Sequence, residues 1–286
     1  MQFVWHDHID SFLESTLTYL EKDEAINNLM LGIALRIQKD PAYYPEFKLM
    51  TITDTTGLVL AAVITPPEKI ILYSPRSEYQ EALNLLVQEL TQHQIPIPGV
   101  IGPKQLAERF AQLWSQHHSC QIALDMHLRA YELRKVNQSV IGPGYLRVAT
   151  DADLNFLIDG MINFHFDAKL DAVPDREKYT ERAKKALAAG SVYLWEHQGQ
   201  VVSMAAASRP TLHGITIGMV YTPRELRGHG YATSCVAALS QQLLESGYQF
   251  CALFADLANP TSNSIYQKIG YQPVGDFTSY LFVSSH

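Results

Sequence analysis

Cysteine is scarce in this chain, basic charge is outnumbered, and long apolar runs are missing. Three cysteines, Cys120, Cys235 and Cys251, leave an odd count without metal-ligand spacing, which argues against a disulfide framework and against a metal role for them. Cys235 sits on an apolar helical stripe and Cys251 in a strand-like run, so both read as small core residues. No stretch approaches the ~18 apolar residues of a membrane span, so no membrane partner is expected. The opening Met1–His8 has no basic region followed by an apolar run; no secretory signal is read there, and a cytoplasmic location is expected. Lys and Arg number 22 against 29 Asp and Glu, and the resulting net charge of −7 argues against a nucleic-acid partner. Of the 11 histidines, the pairs His6/His8 and His117/His118 lack a convincing set of further ligands, so no metal is expected.

What is present is a packed, two-domain composition. An apolar fraction of 47% and a charged fraction of 18% over 286 residues suit two domains, each able to bury a core. The first part carries two helical patterns over 9–38, strands at 47–52, 58–64 and 69–73, a helix over 77–92, a strand at 99–101, a helix over 103–114 and a strand over 122–133. A polar and then Pro/Gly stretch at 137–144 marks the boundary, giving domains 1–138 and 139–286. The second part follows a similar order. A strand at 145–149 leads to a helix capped by Thr150 and another from Asp175 to Gly190; strands at 191–196, 201–208 and 215–221 form an antiparallel meander. A long helix, a strand at 249–255, a short helix from Pro260 and a closing strand over 272–283 complete it. Such mixed order implies a three-layer α/β sandwich.

The chain is organised around 215–233. There a buried-type strand runs through Val220, Tyr221 and Thr222 into a turn holding Arg227, Gly228, His229 and Gly230, and then into a helix opening with Tyr231, Ala232 and Thr233. The glycines allow a tight turn with no Cβ in the way, and the first amides of a helix have no internal partner and point at solvent or an anion. Downstream, Asn259-Pro260-Thr261-Ser262 opens a second helix in which Asn259, Ser262 and Tyr266 share a face.

Arg-x-x-Gly-x-Ala (Arg227, Gly230, Ala232) followed by Asn-x-x-Ser-x-x-x-Tyr-x-x-x-Gly-Tyr (259–271) resembles the paired signatures of the GNAT superfamily of acyl-CoA-dependent N-acyltransferases. The resemblance implies tandem GNAT-like α/β/α sandwiches with mixed, mostly antiparallel sheets, the second copy intact and the first degenerate. It implies acetyl-CoA as cosubstrate and a primary amine as its acceptor, acylated by direct attack in a ternary complex. Backbone groups at Val220, Tyr221 and Thr222 would face the thioester where the sheet splays after the 215–221 strand. Residues 227–233, Asn259 and Ser262 would hold the cofactor, and Tyr266 would protonate the leaving thiolate. The alternative is a non-catalytic acyl-CoA-binding sensor or regulatory module. Glu196, His213 and Asp256 are the candidate bases by strand position, and Asn163, His165, Phe166, Asp167 and Glu177 are acceptor-side candidates by family position. In the first half the corresponding turn, Ser74-Pro75-Arg76-Ser77-Glu78-Tyr79, has no glycine and loses a donor at Pro75. A monomer with an internal pseudo-dimer, or a weak homodimer, is expected.

Overall fold

The computed structural model describes residues 1–167 and 173–284. In chain order its first elements are β1 (Gln2–His6), α1 (Ile9–Leu20), α2 (Asn28–Lys39), β2 (Lys48–Asp54), β3 (Gly57–Ile64), β4 (Ile70–Tyr73), α3 (Gln80–Gln92), β5 (Gly99–Pro103), α4 (Lys104–His118) and β6 (Cys120–Leu133). They are followed by β7 (Tyr145–Val148), α5 (Leu154–Asp167), α6 (Arg176–Ala188), β8 (Val192–His197), β9 (Gln200–Ser208), β10 (Gly214–Tyr221), α7 (Tyr231–Glu245), β11 (Phe250–Asp256), α8 (Pro260–Ile269) and β12 (Gln272–Ser284). Each series of elements reads β-α-α-β-β-β-α-β-α-β, a tandem repeat of one α/β topology. The repeat is complete because of β1, which the sequence reading missed. Gln2–His6 has no adjacent turn signal, and it becomes a strand by pairing antiparallel with β2 almost fifty residues on, Gln2 opposite Thr53 and His6 opposite Leu49.

Contacts divide the chain into two units. The first comprises Met1–Tyr131, Phe254–Asn259 and the stretch from Pro273; the second comprises Glu132–Leu253 and Pro260–Gln272. The sequence reading placed all of 139–286 in one domain. The difference arises chiefly at β12, which finds its antiparallel partner in β5, with Phe277 opposite Pro103 and Leu281 opposite Gly99. The approach is close enough that a Cβ on Gly99 would lie 2.1 Å from the Tyr280 carbonyl oxygen.

In unit 1 the strand order is β1-β2-β3-β4-β5-β12-β6. Alternate residues of the central strands feed two cores. Met50, Ile52, Leu60, Ala62, Ile70 and Leu72 pack with α3 and α4, whereas Leu49, Leu58, Ala61, Val63 and Ile71 pack with α1 and α2. With both faces covered, the run from Leu58 to Ile64 is apolar throughout rather than alternating. Helix α3 begins three residues later than the periodicity predicts, because the chain before it is tied to β3: Ser74 Oγ donates to Val59 O and the Arg76 guanidinium donates to Leu58 O.

Unit 2 has the order β11-β10-β9-β8-β7. Helices α5 and α6 cover Leu194, Met204 and Tyr221 with Leu157, Ile158, Met161 and Ala183. Helix α7 packs on β8, β9 and β10 and buries Cys235, Val236, Leu239 and Leu243. Thr150 and Asp153 form a reciprocal cap ahead of α5, and Asp175 caps α6 by accepting from the amides of Glu177 and Lys178. Cys235 and Cys251 are fully buried, and burial pushes both thiols up to about 12, so neither is a thiolate at neutral pH.

Candidate active site

Three local features converge at the end of β10. The strand pairs antiparallel with β9 as far as Gly218 opposite Ala206, then slips so that Tyr221 faces Met204. One extra residue is accommodated there, and Met219 takes a left-handed φ of 50°. Such a bulge bends the strand and takes backbone groups out of the ladder. On the other edge, β10 pairs parallel with β11 only from Gly214–Phe250 to Thr216–Ala252. Pairing with β11 thus stops within β10, after Thr216. The segment 217–221, which includes Val220 and Tyr221, is left with a strand partner in unit 2 on the β9 side alone.

The chain then passes buried Thr222 and a short turn of 3-10 helix at Arg224–Leu226 to reach the glycine turn. Gly228 and Gly230 adopt φ of 85° and 80°, and a Cβ on either would meet nothing within 4 Å. These glycines are thus required by backbone conformation, with open space on the side where a ligand would approach. Gly230 is the N-cap of α7 and offers no side-chain oxygen, so the amides of Tyr231, Ala232 and Thr233 lack an intrahelical acceptor. The Tyr231 ring centroid is 5.6 Å from that of His229 and 5.4 Å from that of His197.

A polar chain fixes this turn from below. Ser203 Oγ on β9 donates to the Tyr221 carbonyl at 3.1 Å, and Thr222 Oγ1 donates to Ser203 Oγ at 3.0 Å. Arg227 Nε donates to the Thr222 carbonyl at 3.0 Å, and its terminal nitrogen reaches Asp167 Oδ2 at 2.5 Å. Arg224 takes the other Asp167 oxygen at 2.8 Å. Burial disfavours the Asp167 charge, but hydrogen bonds from Arg224 and Arg227 more than offset it and hold its pKa below the usual carboxylate range. Sequence reasoning missed Ser203 and Arg224. A serine inside an apolar strand, at a position that alternation assigns to the core, was the signal that could have found the first.

From α5, Asn163 is exposed, and Asp167 one helical turn later pairs with the arginines. His165 is buried and lies 2.8 Å from the Tyr179 hydroxyl, while Phe166 is exposed. Glu177 is an exposed residue at the start of α6. Positions 168–172, within the acceptor-side stretch proposed from sequence, lie outside the described residues.

Helix α8 begins at Pro260, directly after Asn259, with Ser262 half-buried in its first turn. Tyr266 is 8% exposed, edge-on to Tyr271, and burial pushes its phenol up to about 12. Of the candidate bases, Glu196 accepts from Arg147, and hydrogen bonds from Tyr145 and Arg147 hold it below the usual range, which makes it a weak proton acceptor. His213 precedes β10, about 20 Å of strand from Met219 at ~3.3 Å per residue. Asp256 accepts from the Ala258 amide in the turn before α8. Among the described residues no group of three or more His, Cys, Asp or Glu is disposed to hold a metal, and no helix is long and apolar enough to cross a membrane.

The equivalent place in unit 1 is built differently. Arg76 is fully engaged by Leu58 O, Asp54 and Thr56, and a cleft of about 360 Å³ at the start of α3 is lined by Glu78, Glu108 and Arg109. Two carboxylates there disfavour a pyrophosphate.

Residues 197–281 match the family model described as FR47-like protein. That span contains the bulged strand, the glycine turn and α8. No curated protein matches the chain significantly. Among solved structures, an acetyltransferase of the GNAT family from Colwellia psychrerythraea is similar over 99% of this chain and 100% of its own, at 12% identity and a TM-score of 0.57. A GCN5-related N-acetyltransferase from Sphaerobacter thermophilus is similar over 99% and 96%, at 13% identity and a TM-score of 0.63. A Drosophila protein is similar over 96% and 95%, at 11% identity and a TM-score of 0.63. At these identities the structures speak for the fold alone, which they share along the whole chain, and the family model covers the segment that carries the turn.

Proposed function

We propose that unit 2 transfers the acetyl group of acetyl-CoA to a primary amine by direct attack in a ternary complex. The observation that carries this reading is the succession, within the FR47-matched segment, of a bulged strand released from its neighbour and a glycine turn with exposed amides. The turn at 228–233 receives the pyrophosphate on backbone N–H groups and the positive end of α7. Backbone N–H groups at the bulge, near Val220 and Tyr221, donate to the thioester oxygen as negative charge develops on it. The neutral amine nitrogen bonds to the carbonyl carbon, the carbon–sulfur bond breaks with its electron pair left on sulfur, and the proton shed by the new amide nitrogen balances the thiolate.

Tyr266 contributes as a hydrogen-bond donor to the departing sulfur. A phenol near 12 is protonated at every working pH. Giving its proton outright to a thiolate of pKa about 8.5 is uphill by ~5 kcal/mol, so donation of a hydrogen bond, not full transfer, is the role suited to it. Incubating the protein with acetyl-CoA and a panel of amines, with detection of released thiol, tests the reading. Release that depends on one amine supports the enzyme; saturable acetyl-CoA binding with no release from any amine would instead support the binding-module alternative.

A further inference from the structure

We propose that Arg227 is a strut of the glycine turn and not a ligand of the cofactor's phosphates, with Asp167 the positioning residue that holds it in place; this rests on reading the turn as an acyl-CoA site. A guanidinium presents its donors in a rigid planar fork. In Arg227 that fork is committed backwards, Nε to the Thr222 carbonyl and a terminal nitrogen to Asp167, with the guanidinium carbon 5.8 Å from the Tyr221 ring centroid. The bond to Thr222 continues through its hydroxyl to Ser203, which is fully buried, and so into the core of unit 2. The turn is thereby clamped between β9 and the end of α5, and its own amides remain for the anion. Binding phosphate through Arg227 would require breaking both bonds and leaving the Asp167 carboxylate, only 25% exposed, to Arg224 alone.

The position of Asp167 supports the same conclusion. Both of its carboxylate oxygens are taken by arginines of the 224–227 turn, Oδ1 by Arg224 and Oδ2 by Arg227.

The two roles differ in sign. Acetyl-CoA affinity is measured by calorimetry for the full chain and for Arg227→Gln, Arg227→Lys, Asp167→Ala and the Arg227→Gln/Asp167→Ala double variant. A strut predicts that Arg227→Gln and Asp167→Ala each weaken binding, by about five-fold, and that the double variant is no worse than either single one. It also predicts that Arg227→Lys does not rescue, since an ammonium cannot span Thr222 O and Asp167 together. Tighter binding by Asp167→Ala, or wild-type affinity in Arg227→Lys, would overturn the proposal in favour of a phosphate ligand. Hydrogen exchange of the 222–233 amides without any ligand supplies a readout independent of acetyl-CoA: both single variants should exchange faster than wild type, and unchanged exchange sinks the strut. If wild-type protein binds no acetyl-CoA, the reading of the site falls, and exchange alone then decides the role of Arg227.

Discussion

Gly230 offers a sharp test of where the cofactor sits, because its surroundings separate charge from packing. The residue is exposed, left-handed at φ 80°, and an added Cβ meets no protein atom. Gly230→Asn and Gly230→Asp carry side chains of nearly the same size, and both residue types enter the left-handed region more readily than others, at a strain below the ~1–2 kcal/mol of an ordinary residue. They therefore share whatever the backbone costs and differ only in charge. A carboxylate about 6 Å from one phosphate charge is repelled by ~0.7 kcal/mol in bulk water and ~2.8 kcal/mol at an effective dielectric of 20. The open setting favours the lower end, about 1 kcal/mol per charge, and two pyrophosphate charges give ~2 kcal/mol, or roughly thirty-fold in Kd. Calorimetric titration with acetyl-CoA at low salt should show Asn modestly weaker than wild type and Asp weaker again by that factor, with the gap narrowing as salt is raised. Equal affinities for the Asp and Asn variants would mean that the pyrophosphate is not at this turn.

Tyr266→Phe should lower turnover by roughly 10²–10³-fold while leaving acetyl-CoA affinity within about two-fold, and turnover in the wild type should show no inflection from this phenol below about pH 11; unchanged turnover in the Phe variant would reduce Tyr266 to packing. Asp153, held near 2 by its hydrogen bonds from Arg147, has a folded pKa below its unfolded value of 3.8, so its contribution to stability is complete above pH 4 and is lost as pH falls towards 2. Accordingly Arg147→Met should cost about 1–3 kcal/mol in urea unfolding at pH 6 and distinctly less near pH 2, and an equal cost at both would refute the pairing. Saturation binding should give one acyl-CoA per chain, since Arg76, Glu78 and Glu108 leave unit 1 without an anion-binding turn; two equivalents would overturn this. Residues 140–286 expressed alone should be poorly soluble, because β12 would lack β5, and a monomeric, fully active fragment would count against the arrangement.

Much of this architecture can be read from local pattern. The apolar run Leu58–Ile64, the stripe of Cys235, Val236, Leu239 and Leu243, and the Pro260 helix start are each decided within a few residues, and each forms the element expected. Gly228 and Gly230 are legible too, since few other residues suit their left-handed conformation. What the sequence conceals is set by distant partners. Gln2–His6 is a strand only because β2 accepts it, and β12 joins unit 1 only because Gly99 lets it approach. The bulge at Met219 leaves no compositional mark, as methionine has no preference for a φ of 50°. Arg227 shows the same limit at the site: the motif names the residue, but Asp167, sixty positions earlier, decides which way its guanidinium faces.

The pairing of β5 with β12 also imposes an order of events on synthesis. When Tyr131 leaves the ribosome, the sheet of unit 1 still lacks the strand beside β5, and that strand arrives only with Pro273 and the residues after it. At ~5–20 residues per second the interval is roughly 7–30 s, long compared with the microseconds to seconds in which small domains fold. For that time β5 presents a line of backbone donors and acceptors to whatever is near, including the same edge of another nascent chain on the same messenger. The arrangement makes a strand translated about 140 residues after Tyr131 the one that closes the sheet beside β5.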